Sequence, residues 1–518
     1  MRSKHLFLDE RHISAGQLAW QTADGRHIPL LAPEEPATRA FATGPQSVPT
    51  GVRLVVQRAR RTDPFSMPAG MQRLGGASYP LVSYEEGRYT WRFFQTTYRT
   101  DDDLGAYTKV RPASRDVCCL ESPDGFAWTE TSRCPIEEFG QQGQDGGGFL
   151  IDPHGPAEHR YKGLYASRPP ADQARGLWEQ YRTLPRRHRD ERARPDLLFC
   201  VYAVTSPDGR NWNTHRTPLM TGIHDHDFSL YHDTELARYV LYTRLNRNDR
   251  RCIARAEASD FWDWGHPEAI IHPGLHHHLS EDIYLNGRTS YPGHDDYHLM
   301  FATRYQRATE GGRVVLYCSD DGILWKELPH SEVLGTGGAS AVDRWDSGWL
   351  YVLKGLVPLD GDKVAVPYLG TPYPHKYPRW EQVVAGTQQF AWAWWETDRL
   401  VAVRADELGR FCSRPVVPAG RTLRINARTG LAGYVRVGIE ARHADPEYAA
   451  REPDPGTGVG VAAGTGRPIA HCRPLSGDCR WRTVDWSGQT DINVADDTPV
   501  TLRFELRHAD LFGFEWAA

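Results

Sequence analysis

Residues 206–212 read SPDGRNW, and the phrase returns as SPDGFAW at 122–128 and SDDGILW at 319–325, with a degenerate copy, SDFWDW, at 259–264. A short apolar or mixed run precedes each, as LLFCVYAVT (197–205) precedes Ser206 and RVVLYC (313–318) precedes Ser319. Ser-x-Asp-Gly is a tight-turn sequence: the short polar side chains bond the local backbone and glycine takes the positive φ. The tryptophan then packs the returning chain against its neighbours. These are turn and packing residues without a catalytic role, and their value lies in the period, because a fixed repeat decides the architecture.

A second repeat lies between the turns: HRYKGLYASR (159–168), ARYVLYTR (237–244) and DYHLMFATR (296–304), with weaker relatives at 87–94 and 362–370. A third element opens each unit: GQDGGGFLIDP (143–153), DHDFSLYHD (225–233), EDIYLNG (281–287), WDSGWLYVLKGLV (345–357) and SYPLVSYEEG (78–87). About five units of three or four strands result, and helical periodicity is almost absent. Small antiparallel sheets repeated around an axis bury such units, so the expected fold is all-β: a five-bladed β-propeller. The long interruption at 169–196, rich in charge and proline, reads as a partly helical surface insertion, with lid, oligomer contact and solvated loop all open. From about Ala405, alternating strands between glycine and proline turns predict a β-sandwich. The expected division is an N-terminal segment at 1–70 packing on or closing the propeller, the propeller at 71–400, and the sandwich at 405–518.

The 518 residues carry 40% hydrophobic and 25% charged side chains and a net charge of -5, which gives no sign of a nucleic-acid partner. The 17 tryptophans and 23 tyrosines suit β-structure and also the stacking of sugar rings. MRSKHLFLDERHIS has no long apolar region or cleavage site, and no run of about 18 apolar residues offers a membrane span. A cytoplasmic protein without a membrane partner is the expectation. The nine cysteines lack metal-type spacing, and several sit within strand-like runs, so reduced buried thiols are expected.

Read in order, LFLDERHI (6–13), DP (152–153) with RYK (160–162), SDFWDW (259–264), DIY (282–284), WDSG (345–348), CRPLSGD (472–478), VDWSG (484–488) and LRFELRHADLFGFEW (502–516) resemble the glycoside hydrolase family 32-like proteins. Their wider superfamily includes the glycosidases of families 32, 43 and 68. The resemblance covers nearly the whole chain and implies a five-bladed propeller followed by a β-sandwich. The characterised enzymes share an Arg-Asp-Pro motif, whereas LIDPHG (150–155) has no arginine before Asp152, and no acid opens the first unit. The resemblance thus carries the fold further than the chemistry.

Four carboxylates recur near the head of the third element: Asp145, Asp227, Asp282 and Asp346 follow Ser122, Ser206, Ser259 and Ser319 by 23, 21, 23 and 27 residues. In a propeller these strands line the channel, and their heads form the funnel where ligands bind. Strand alternation places Asp225, Asp227, Ser229 and Tyr231 on one face of HDHDFSLY (224–231), with His224, His226, Phe228 and Leu230 on the other. In SEDIYLNG (280–287) the polar face is Asp282, Tyr284 and Asn286, while Glu281 shares the apolar face with Ile283 and Leu285.

Glycoside cleavage needs two carboxyl groups of divergent pKa across the scissile bond. Asp227 is expected as base or nucleophile, with Asp282 or Glu281 as acid. Asp145 and Asp346 are expected to bind hydroxyls or tune those acids. Arg244 and Arg304, which with Arg168 end the second strands, would neutralise the acids or grip an anionic substrate. Tyr284, and His375 with Lys376 in PYPHKYPR (372–379), are placed at the funnel wall. No cofactor is required, and a divalent metal on His224, His226 or His277 stays open. The leading expectation is an exo-acting glycosidase on a small saccharide or glycosylated metabolite. The alternatives are a metal-assisted lyase, isomerase or transglycosidase, and a sugar-binding protein without catalysis. The sequence does not set the oligomeric state.

Overall fold

The computed structural model describes residues 3–15, 19–21, 27–29, 48–68, 80–98, 112–137, 143–222, 228–336, 344–375, 388–444 and 459–518. The turn motif folds the same way in each of its three full copies. Ser206 Oγ accepts the Gly209 N–H at 2.9 Å, and Asp208 Oδ1 accepts the N–H groups of Arg210 and Asn211 at 2.9 and 2.8 Å. Ser122 with Asp124 and Ser319 with Asp321 repeat the pattern. Gly125, Gly209 and Gly322 have φ of 80°, 72° and 68°, the left-handed conformation that glycine adopts without strain. Trp212 and Trp325 donate their indole N–H to the carbonyls of Gly209 and Gly322.

Each turn joins the third strand of a four-stranded antiparallel sheet to its fourth. Blade 1 contains Leu81–Glu85, Arg88–Tyr98, Pro112–Ser122 and Thr129–Ile136. Blade 2 contains Gly143–Ile151, Tyr161–Ser167, Phe199–Ser206 and Asn213–Gly222, and blade 3 Ser229–Asp233, Arg238–Arg247, Arg250–Ala258 and Glu268–Ile271. Blade 4 contains Glu281–Tyr291, His294–Gln306, Gly311–Ser319 and Lys326–Gly335. Blade 5 pairs Trp349–Val352, Lys363–Thr371 and Gln389–Glu396 with Arg60–Arg61, so a strand from early in the chain completes the last sheet and closes the five-bladed propeller.

The first strands face one another around the axis. Phe228 N–H donates to Gly147 O at 3.1 Å, Ser229 Oγ to Asn286 O at 2.8 Å, and Val82 N–H to Lys354 O at 3.1 Å. The approach is so close that a Cβ on Gly148 would lie 2.2 Å from Phe228 O, and one on Gly355 2.0 Å from Val82 O. Lys354, which is buried, donates its ammonium to Gly147 O at 3.0 Å and Phe228 O at 2.6 Å, tying blade 5 to blades 2 and 3. Between blades the packing is aromatic, with Phe65, Trp91, Trp128, Phe390 and Trp392 in one cluster.

The second unit is the β-sandwich, built on two long bent strands, Thr422–Ala444 and Val500–Ala517, which pair with each other and, along their lengths, with different partners. Leu423, Ile425, Val437, Leu502, Phe504, Phe514 and Trp516 fill its core. The segment expected at 1–70 on the propeller divides between the units. Lys4–Leu6 pairs with Val500–Ala517 and Arg53–Val56 with Val401–Cys412, both within the sandwich sheet, while Arg60–Arg61 and the following residues Thr62 and Phe65 join blade 5. Short strands of this kind carry no period of their own, so their partners are set by the sheet edges on offer.

The insertion at 169–196 contains a helix, Ala171–Thr183. Its Tyr181 is buried and accepts the Asp190 N–H at 2.7 Å, while Asp190 accepts the backbone and side-chain N–H of Asn246 at 2.7 and 2.8 Å. That holds the insertion on the hairpin between the second and third strands of blade 3. All nine cysteines are free thiols and eight are buried. No helix among the described residues is long and apolar enough to cross a membrane.

Candidate functional site

The heads of the first strands lie at the end of the propeller opposite the Ser-x-Asp-Gly turns. Asp282, the second residue of Glu281–Tyr291, is fully buried. Its Oδ1 accepts the Arg251 N–H at 3.0 Å and Arg307 Nη2 at 2.9 Å. Its Oδ2 accepts Arg307 Nε at 3.0 Å and Arg251 Nη1. Burial disfavours the charged carboxylate, but the Arg307 hydrogen bonds and the Arg251 charge outweigh it and hold Asp282 below the usual carboxylate range. Asp346 repeats the arrangement on blade 5: it is buried between Arg61 Nε at 3.0 Å and Arg344 Nε at 2.9 Å, with the Tyr368 hydroxyl donating at 3.1 Å.

Glu281 is also clamped, by Arg304 and by Arg313 at 2.7 Å. Arg304 reaches on to Glu327 at 3.1 Å, which further accepts the Tyr317 and Ser331 hydroxyls at 2.8 and 2.7 Å. The oxygens of the described carboxylates at the strand heads are thus occupied by arginines and hydroxyls, which suits an electrostatic frame.

The expected polar face of Asp282, Tyr284 and Asn286 does not exist, because a β-bulge intervenes. Ile283 pairs with Arg304 and Leu285 with Thr303, leaving Tyr284 as the extra residue. Asp282 and Asn286 turn toward blade 3, to Arg251 and Ser229. Tyr284 turns toward blade 5, where its hydroxyl lies 2.9 Å from His375 Nε2. The His375 ring stacks on Trp349 at 4.4 Å, and the guanidinium carbons of Arg251 and Arg244 stand 5.0 and 5.8 Å from the Tyr284 ring centre. The bulge therefore brings together Arg244, Tyr284 and His375, all expected at the funnel, with Arg251, Tyr305 and Trp349, which the sequence did not single out.

Asp227, His224, His226 and Lys376 lie outside the described residues, as does the side chain of Asp145, whose backbone belongs to Gly143–Ile151. Asp152, in LIDPHG, is fully buried and holds Lys162 Nζ at 2.7 Å and the Tyr239 hydroxyl at 2.7 Å. Its lysine takes the part of a structural ion-pair partner. Arginines 61, 251, 307, 313 and 344 and Lys354 were not legible as site residues. Except for Arg344, which pairs with Asp346 two residues on, each meets its partner across a blade or a blade boundary, and no local pattern marks such a pairing.

His277 does come together with His276 and Glu327, their ligand-type atoms lying within 4.8 Å of one another. The donor set nevertheless does not fit a divalent cation. His277 Nδ1 accepts the Gly274 N–H at 3.0 Å, so Nε2 carries the proton, 3.3 Å from Glu327 Oε2. Glu327 is already shared by Arg304, Ser331 and Tyr317. Burial and the Arg304 charge lower the His277 pKa, keeping the ring neutral at pH 7.

No protein-family model and no curated protein matches the sequence. Among solved structures, the chain is similar to a thermostable family 43 glycoside hydrolase at 12% identity, covering 63% of this chain and 92% of that one, with a TM-score of 0.38. It is likewise similar to the β-1,2-mannobiose phosphorylase of Listeria innocua at 10% identity (67% and 92% covered, TM-score 0.40). A Bombyx mori family 32 β-fructofuranosidase mutant bound to sucrose matches at 12% identity (88% and 94% covered, TM-score 0.38). The likeness is one of general architecture, and no substrate follows from it.

Proposed function

We propose that the chain is a carbohydrate-active enzyme that cleaves a small saccharide or glycosylated metabolite at the strand-head end of the propeller channel. The observation that carries this reading is the repeated placement of acids there. Of the four in register, the two whose side chains are described, Asp282 and Asp346, are each buried between two arginines. Buried carboxylate–arginine pairs at the strand heads fix the surrounding backbone and electrostatics without reorganisation. Asp282, Asp346 and Glu281 form this frame. Asp227, two residues ahead of the first strand of blade 3 in the sequence, is proposed as base on water or as nucleophile, and Asp145 as a ligand of a substrate hydroxyl. Exo action on a small substrate is part of the proposal.

The test is a mass-spectrometric screen of untagged protein against oligosaccharides and glycosylated metabolites, with and without chelator. Turnover of at least one compound is expected, unaffected by chelator, and reduced at least 100-fold in Asp227→Asn. Turnover abolished by chelator and restored by a divalent ion would replace this reading with metal-assisted chemistry. A wild-type protein that turns over nothing would leave sugar binding as the function.

A further inference from the structure

Resting on that reading, a question of proton supply remains. The leaving oxygen of a glycoside needs a proton, and the oxygens of the described strand-head carboxylates are taken up by Arg251, Arg307, Arg304, Arg313, Arg61 and Arg344. The neutral donor among them is a phenol. We propose that Tyr284 is the general acid at this site and that His375 is the positioning residue that reprotonates it.

The geometry supports each part. The bulge turns Tyr284 out of line with Asp282 and Asn286 and sets its hydroxyl 2.9 Å from His375 Nε2. His375 is held in place by stacking on Trp349, by edge contacts to Tyr284 and Tyr305 at 5.1 and 5.4 Å, and by its backbone N–H on Glu310 O at 3.1 Å. It is also partly exposed, so solvent can restore its proton. The charged groups facing the phenol from the packed elements are Arg244 on the second strand of blade 3 and Arg251 on the third. Tyr305 faces it from the second strand of blade 4, with Glu310 in the turn beyond, and His375 from blade 5. Two guanidiniums near the ring stabilise negative charge as it develops on the phenol oxygen.

In the step, the Tyr284 O–H bond breaks and its proton moves to the glycosidic oxygen. That oxygen takes the electron pair of the breaking bond to the anomeric carbon, which the water or carboxylate on the other side attacks. The phenolate then takes the Nε2 proton of the His375 imidazolium, and the neutral imidazole left behind recovers a proton from solvent. Charge and atoms balance without a further reactant.

The experiment compares two glycosides of one sugar, a dinitrophenyl glycoside whose leaving group departs without a proton and a methyl glycoside that needs one. In Tyr284→Phe, turnover of the methyl glycoside should fall about 100-fold or more, and the dinitrophenyl glycoside should stay within a few-fold. His375→Gln should move the alkaline limb of the pH profile for the methyl glycoside. An equal fall for both glycosides would make Tyr284 structural, and no fall in either would remove it from the reaction.

Wild-type inactivity on every glycoside would count against the underlying reading instead. Carbon-13 NMR of tyrosine-labelled protein, assigned with Tyr284→Phe, then tests the pair alone. The Tyr284 phenol should titrate below the ordinary value of about 10 and shift in His375→Gln. A phenol that stays protonated to about pH 11 would overturn the proposal.

Discussion

At Asp282 four hydrogen bonds from two arginines converge on one buried carboxylate, and this is where the account is most exposed to test. Removing one partner of a buried pair leaves the others uncompensated, so Asp282→Asn should cost about 3–5 kcal/mol in denaturant unfolding at pH 7. The sign with pH is fixed. The folded carboxyl titrates below the unfolded value of about 3.9, so its stabilisation is complete above that value and lost as pH falls through the folded one. The gap between wild type and Asp282→Asn should therefore narrow in acid. A gap of constant size from pH 7 to pH 3 would mean that the arginines do not hold the charge. His277 gives the opposite lesson. Its Nδ1 is taken by the Gly274 N–H and Glu327 by Arg304, Ser331 and Tyr317, so adding zinc or manganese should not raise the melting temperature, which a real cation site at His276 and His277 would do.

Among the elements, the Ser-x-Asp-Gly turn accounts for most of what the sequence revealed. Ser206 Oγ satisfies the buried Gly209 N–H, so Ser206→Ala should lower stability by about 1–2 kcal/mol, read from the denaturant midpoint at unchanged slope. Because serine, aspartate and glycine act on backbone two or three residues away, the motif was readable without knowing the fold, and together with the strand repeats between its copies it led to five units. Tyr284 was misread for the complementary reason. Alternation put it beside Asp282, but an extra residue at 284 resets the faces, and no residue type in EDIYLNG announces a bulge. The acids were legible as positions, their arginines were not, since Arg61 and Asp346 are 285 residues apart in the chain and join only when blade 5 closes.

For the whole molecule, the constraint is ring closure. Gly355 has φ of 107°, and its missing Cβ leaves room for the Val82 carbonyl as blade 5 meets blade 1. Gly355→Ala combines a glycine-only conformation with a clash and should destabilise the propeller by roughly 3 kcal/mol or more, while Gly361→Ala, at an open turn, should cost much less. The central claim is that a saccharide binds at the strand heads. Hydrogen–deuterium exchange with and without each saccharide of the panel tests this most directly, since it needs no turnover. Slowed exchange should concentrate in peptides spanning 143–151, 228–233, 281–288 and 371–375. Protection confined to the sandwich or to the turns at 206–212 and 319–325, or none with any saccharide, would contradict the account.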